Sequence, residues 1–144
     1  MTRPETDILV AGGGIGGLTA AAAFAHEGYT VTLAAPAAPR RDAEGDQRST
    51  AFLDPAIELF SKADLWESLA PHAQPLQRLQ IVDTVGWPPE IRDRRVFHSE
   101  APGEPPLAQN LMNWRIADVL LNFLESQPNV TLHWGAGFAS MVTR

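Results

Sequence analysis

Asp7-Ile8-Leu9-Val10-Ala11-Gly12-Gly13-Gly14-Ile15-Gly16-Gly17-Leu18 is the stretch that decides the fold. It places G-x-G-x-x-G on Gly12, Gly14 and Gly17, directly after an apolar run and directly before an alanine-rich segment. Three fixed glycines alone are a weak signal. The order strand, glycines, helix is the context that gives them meaning. In such a turn the first glycine permits the tight bend and the second lets backbone approach a pyrophosphate. The third lets the helix lie close to the strand. The helix N-terminus then offers unpaired N–H groups and the positive end of its dipole to phosphate. Gly12, Gly13, Gly14, Ile15, Gly16 and Gly17 are therefore the candidate phosphate-binding residues. A turn with five glycines in six positions is poorly explained by stability alone.

Working outward, residues 7–11 predict a short strand buried on both faces. Leu18 to His26 predicts a helix whose alanines allow close packing, with Gly28 placed to end it. Tyr29-Thr30-Val31-Thr32-Leu33 predicts a second strand, stopped by Pro36. Together these make a βαβ unit over 7–35, whose right-handed crossover gives a parallel pair. The fold class is thus α/β, a Rossmann-like nucleotide-binding domain.

The texture then changes over 36–110, read as an insertion. Pro36 to Gly45 is a polar, proline-rich loop, and Asp46 to Thr50 leads into a helical pattern through Phe52, Ala56, Leu59 and Phe60. A short helix carries Leu65, Trp66 and Leu69 and ends before Pro71. Leu79–Val82 and Arg95–Phe97 read as strands of an inserted sheet, separated by the breaker Gly86-Trp87-Pro88-Pro89, and Ala101–Pro106 reads as another loop. Helical order returns at Asn113, read as an N-cap, with Ile116, Val119, Leu120, Phe123 and Leu124 forming an apolar face. Pro128-Asn129 breaks it, and Val130-Thr131-Leu132 reads as a strand, so helix and strand resume over 113–134.

Composition narrows the function. The 144 residues carry a net charge of −6 and no long basic run, which gives a nucleic-acid partner no electrostatic support. Absence of cysteine excludes disulfides, thiolate chemistry and cysteine-based metal sites. No segment approaches the ~20 apolar residues of a membrane span, and the N-terminus lacks the apolar core of a secretory signal. These features predict a soluble, cytoplasmic protein, with peripheral membrane contact left open. His26, His72, His98 and His133 show no metal-ligand spacing, so no metal is expected. Arg92, Arg94 and Arg95 read as a solvated cluster.

Three stretches together resemble the N-terminal part of the FAD-dependent aromatic hydroxylases, the class A monooxygenases, and within them the ubiquinone-biosynthesis hydroxylase group. The first is Asp7 to Leu18. The second is Asp46-Gln47-Arg48-Ser49-Thr50-Ala51-Phe52 with Ala63-Asp64-Leu65-Trp66-Glu67-Ser68-Leu69. The third is Asn113-Trp114-Arg115-Ile116-Ala117-Asp118-Val119-Leu120. The resemblance implies a glutathione-reductase-type FAD-binding domain whose parallel sheet is incomplete over 1–144, with FAD as cofactor and NAD(P)H as reductant. It implies that Arg48 faces the flavin and that Arg115 lies beside the pyrophosphate. It also implies a small aromatic or polyprenyl-phenol substrate in a considerably longer enzyme. No protein residue is nominated as catalytic, because the oxidative chemistry belongs to the flavin.

Two departures stand beside it. The usual acidic residue that binds the adenosine ribose at the end of the second strand is here Ala35. Losing that hydrogen bond costs on the order of 1.5–3 kcal/mol, unless backbone or Arg40 and Arg41 make other contacts. The Asp-Gly and Gly-Asp segments that follow in the family are also missing. The alternatives are therefore a non-catalytic nucleotide-binding fragment, a split subunit requiring a C-terminal partner, or another FAD- or NAD-dependent oxidoreductase. Unfilled sheet edges also predict self-association.

Overall fold

A computed structural model describes residues 5–99 and 104–140. The chain is a mixed α/β structure built on a three-stranded parallel sheet. β1 (Ile8–Ala11) leads through the glycine turn into α1 (Ile15–His26), which returns to β2 (Val31–Ala35). β8 (Val130–Trp134) completes the sheet in the order β1-β2-β8. Ile8 pairs with Val31 and Val31 with Val130, both in parallel register. The helix starts at Ile15, one turn earlier than the alanine run predicts, and Gly28 follows its end with φ +87°.

The central strand is β2, whose Val31, Leu33 and Ala35 are buried. β1 corrects the expectation of burial on both faces: Leu9 is 58% exposed. Ile8 and Val10 pack against the core while Leu9 and Ala11, on the opposite face, are exposed, so only one face of the strand is covered. α1 buries Leu18, Ala21, Ala22 and Ala25 against the sheet and against α4 (Asn113–Ser126). The alanines let two helices and a sheet meet closely. α4 answers with Ile116, Ala117, Leu120, Leu121 and Leu124, all buried in the same core.

Between β2 and α4 lies a second layer. β3 (Ser49–Phe52), β7 (Ala108–Met112) and β4 (Gln74–Leu76) form an antiparallel sheet in the order β3-β7-β4. Phe52 therefore lies on a strand, not in the expected helix, because Ser49–Phe52 finds its hydrogen-bond partners in Met112–Gln109. α2 (Asp54–Lys62) begins only after it, with Pro55 in its first turn. α3 (Trp66–Leu69) and a 3₁₀ turn (Ala70–His72) follow. Phe60, Leu65 and Leu69 join the main core.

β5 (Arg78–Val85) and β6 (Glu90–His98) form a separate antiparallel hairpin, longer at both ends than the apolar residues alone indicate. Trp87 at its tip is 93% exposed. Of the expected loop at 101–106, residues 101–103 lie outside the described residues and 104–106 are irregular. Among the described residues no helix is long and apolar enough to cross a membrane.

Candidate functional site

The glycine turn sorts itself by what each missing Cβ would meet. Gly12 has φ +127°, a conformation that side chains resist. A Cβ on Gly17 would lie 2.0 Å from the carbonyl oxygen of Gly12, so the helix can sit on the turn only with glycine there. A Cβ on Gly13 would lie 3.0 Å from the Ala35 Cβ and 3.2 Å from the Trp134 ring. Gly14 and Gly16 differ: a Cβ on either meets nothing within 4 Å. Gly14 also has φ −78° and ψ 176°, ordinary extended backbone. Neither strain nor crowding within the protein accounts for glycine at that position.

The space in front of Gly14 is a cleft of about 290 Å³. Gly13, Gly14, Ile15 and Leu18 form one wall, residues 39–40 and 44–46 a second, and Asn113, Trp114 and Ala117 of α4 a third. Gly14 occupies the N-cap position of α1 without a side-chain cap, and its carbonyl accepts the first helical bond from Leu18 N–H at 2.9 Å. The first-turn amides of α1 thus have no partner from a capping side chain, the arrangement that receives an anion.

Charges around the cleft are paired. Arg40 donates to Asp42 at 3.0 Å and to Glu44 at 3.1 Å, which raises the arginine pKa and holds Asp42 below the usual carboxylate range. Arg48 grips Asp46 through Nε at 2.8 Å and Nη2 at 2.7 Å. That pair, helped by an amide hydrogen bond from Asn113, pushes the Asp46 carboxyl far below its ordinary value, while Asp46 raises Arg48. The two carboxylates in the wall, Glu44 and Asp46, are each balanced by an arginine and do not stand as bare charge against an incoming anion.

The remaining expected residues are distributed unevenly. Ala35 is buried at the end of β2, and its carbonyl accepts from Ala136 N–H at 3.1 Å. Arg48 precedes a strand, not a helix, and its side chain is 84% exposed. Arg115 lies in the first turn of α4 with its guanidinium 4.0 Å from the centroid of the neighbouring Trp114 ring; Trp114, not Arg115, lines the cleft. Arg41 is turned away to Asn122 and Glu125, tying the 36–45 loop to α4. Arg40 reaches the cleft. Among the described residues no cluster of His, Asp and Glu could hold a metal ion.

Asn113 corrects the N-cap expectation. It is the first residue of α4, with Met112 in the cap position, and its side chain is buried. Its Oδ1 accepts from Thr50 Oγ1 at 2.7 Å and its Nδ2 donates to Asp46 Oδ2 at 2.9 Å. Asp46 and Asn113 are the cleft residues that sequence reasoning missed as a pair. They are 67 positions apart, and only the Asp-x-Arg spacing of 46–48 signals that Asp46 has work beyond the loop.

The fold and the cleft are those of a dinucleotide-binding α/β domain, and the comparisons with known proteins say what the chain is similar to. Residues 7–44 match the family described as FAD binding domain. The chain is 29% identical over 136 residues to 3-demethoxyubiquinol 3-hydroxylase of Escherichia coli (strain K12), covering 92% of this chain and 33% of that protein. Its fold superposes on the flavin-dependent monooxygenase PieE, solved with FAD and substrate, with a TM-score of 0.66 at 19% identity, over 90% of this chain and 24% of that one. It superposes on p-nitrophenol 4-monooxygenase PnpA from Pseudomonas putida DLL-E4 with a TM-score of 0.63 at 18% identity, over 94% of this chain and 32% of that one. The chain thus spans about a third of the length of the curated relative. The resemblance read from the sequence holds, and FAD is the cofactor.

Proposed function

We propose that this chain is the FAD-binding portion of a flavin-dependent monooxygenase that hydroxylates an aromatic ring, of the ubiquinone-pathway type. The observation that carries the reading is Gly14: its Cβ would meet open space at a helix N-terminus, in the wall of a cleft lined by the FAD-signature residues. In this reading Gly12 to Gly17, with Ile15, receive the pyrophosphate and Ala35 marks the adenosine side. Arg48 and Arg115, which do not line the cleft but have Asp46 and Trp114 of its wall beside them, serve the flavin and pyrophosphate sides. With Ala35 in place of an acid, Arg40 is the basic side chain among the cleft-lining residues that could meet the nucleotide.

The parallel sheet corresponds to a glutathione-reductase-type fold, with βαβ over 7–35, an insertion over 36–110, and helix and strand over 113–134. When bound, FAD supplies reduction by NAD(P)H and activation of O₂. Overall, one oxygen atom enters the ring and the other leaves as water, with NAD(P)H oxidised. The protein's own share is to hold the nucleotide, orient it and exclude water. The substrate class is a small aromatic or polyprenyl phenol, by analogy with the curated relative's name. Ring hydroxylation requires the further two thirds of such an enzyme, in continuation or as a partner chain, in a cytoplasmic protein that contacts the membrane peripherally.

Co-expression with a polypeptide supplying that remainder tests the reading. NAD(P)H consumption stimulated by a polyprenyl phenol, with a product heavier by one oxygen atom from ¹⁸O₂, supports it. Consumption without an oxygenated product points to an oxidoreductase of another type. FAD binding with no turnover supports the non-catalytic nucleotide-binding reading.

A further inference from the structure

Asn113 is a buried polar residue, 8% exposed. Both ends of its amide are used: Thr50 donates to Oδ1, and Nδ2 donates to Asp46. Asp46 in turn accepts from Arg48 backbone N–H at 3.1 Å, Nε at 2.8 Å and Nη2 at 2.7 Å. With the Asn113 bond, the carboxylate has four donors, about its full acceptor capacity. The backbone of the same segment closes the start of α4: Asn113 N–H donates to the Arg48 carbonyl at 2.8 Å and Trp114 N–H to the Asp46 carbonyl at 3.2 Å.

Fastening the segment to α4 needs only those backbone bonds and Asn113. The bidentate grip on a guanidinium that is 84% exposed adds little to that, since exposed ion pairs contribute little to stability. What the grip does is set direction. Two of the five N–H donors of Arg48 are spent on Asp46, which lines the cleft, and three are left in the plane of a guanidinium held against that carboxylate, although Arg48 itself is not among the lining residues. A flexible arginine is thereby converted into a fixed donor fork.

We infer that Asp46, locked by Asn113 and Thr50, is a positioning residue that presents Arg48 to the bound FAD. This rests on the proposed contact between Arg48 and the cofactor. It makes the unit of recognition Thr50–Asn113–Asp46–Arg48, in which a buried amide on α4 acts, through the cleft-lining Asp46, on an exposed guanidinium.

The test is a double-variant cycle on FAD affinity, read by flavin fluorescence, with thermal melts of every variant. Asp46→Asn keeps the volume and weakens FAD by about tenfold; Thr50→Val, which frees the Asn113 amide, weakens it by about threefold. In an Arg48→Gln background both effects vanish, because the residue they act through is gone. Equal losses in both backgrounds assign the network to structure alone and overturn the inference, as does tighter binding by Asp46→Asn, which would make Asp46 a competitor for Arg48. If Asp46→Asn does not fold, the Thr50→Val pair decides between the same outcomes. Absence of FAD binding by the wild-type chain overturns the cofactor reading itself and the inference with it, a result separate from equal losses.

Discussion

The glycine turn with its flanking elements and the β5–β6 hairpin are both built from β-branched and apolar residues, yet they stand in opposite relations to the core. β2 alternates buried residues with half-buried ones, and Leu18, Leu33 and Leu120 are wholly buried. In the hairpin Leu79, Ile81, Val82, Val85, Ile91 and Phe97 are all exposed. The first region is held by its neighbours: α1 is wedged between the parallel sheet and α4. The second is held by cross-strand hydrogen bonds from Arg78–His98 to Val85–Glu90, and a two-stranded sheet alone is marginal in water. The glycine-turn half can therefore be read as a packed scaffold for a site, whereas the hairpin's apolar residues contribute no core to this chain.

The sharpest way to break that contrast is a pair of truncations. Leu120→Ala removes a fully buried side chain and is expected to cost about 3 kcal/mol in urea unfolding. Ile81→Ala, at a half-exposed position of the hairpin, is expected to stay within about 0.5 kcal/mol of wild type. Equal losses would show that the hairpin is as much a part of the cooperative core as α4.

Within the turn, Gly17→Ala is expected to cost roughly 2 kcal/mol, because the new Cβ would sit 2.0 Å from the Gly12 carbonyl oxygen and the helix must shift. A melting temperature unchanged from wild type would show that the turn tolerates a displaced helix.

A smaller effect concerns acid. Asp46 is held below its ordinary pKa in the fold by Arg48 and Asn113, so its stabilising contribution is complete above the unfolded value of about 3.9. It is lost only as pH falls from there through the depressed folded value. Carboxyl ¹³C shifts should show Asp46 still ionised near pH 3; a midpoint near 3.9 would mean the Arg48 pair does not persist in solution.

The parts of the molecule that local pattern could reveal are those whose bonds close nearby. β1, α1, β2, α4 and β8 are legible because glycine chemistry and helical or strand periodicity mark them over a few residues. β3 and β7 are not: Ser49, Thr50, Gln109 and Asn110 carry no apolar alternation, and their pairing joins segments some sixty residues apart. The pull of that distant partner takes Phe52 out of a helix. The hairpin ends were missed for the related reason that exposed strands need no apolar face. In the site, the glycines announce themselves, but the Asp46–Asn113 bond depends on bringing a loop to a helix start, and Asn113 read alone resembles a cap.

The central claim is that Gly14 is glycine for the sake of FAD and not for the fold. Titration of wild type and Gly14→Leu with FAD, each paired with a thermal melt, tests it most directly. The account predicts saturable binding by wild type and its loss in Gly14→Leu, with both proteins folded, since the new Cβ meets no atom within 4 Å and the poorer N-cap costs only about 1 kcal/mol. A variant that binds FAD as wild type does, or that loses binding only by unfolding, would contradict it.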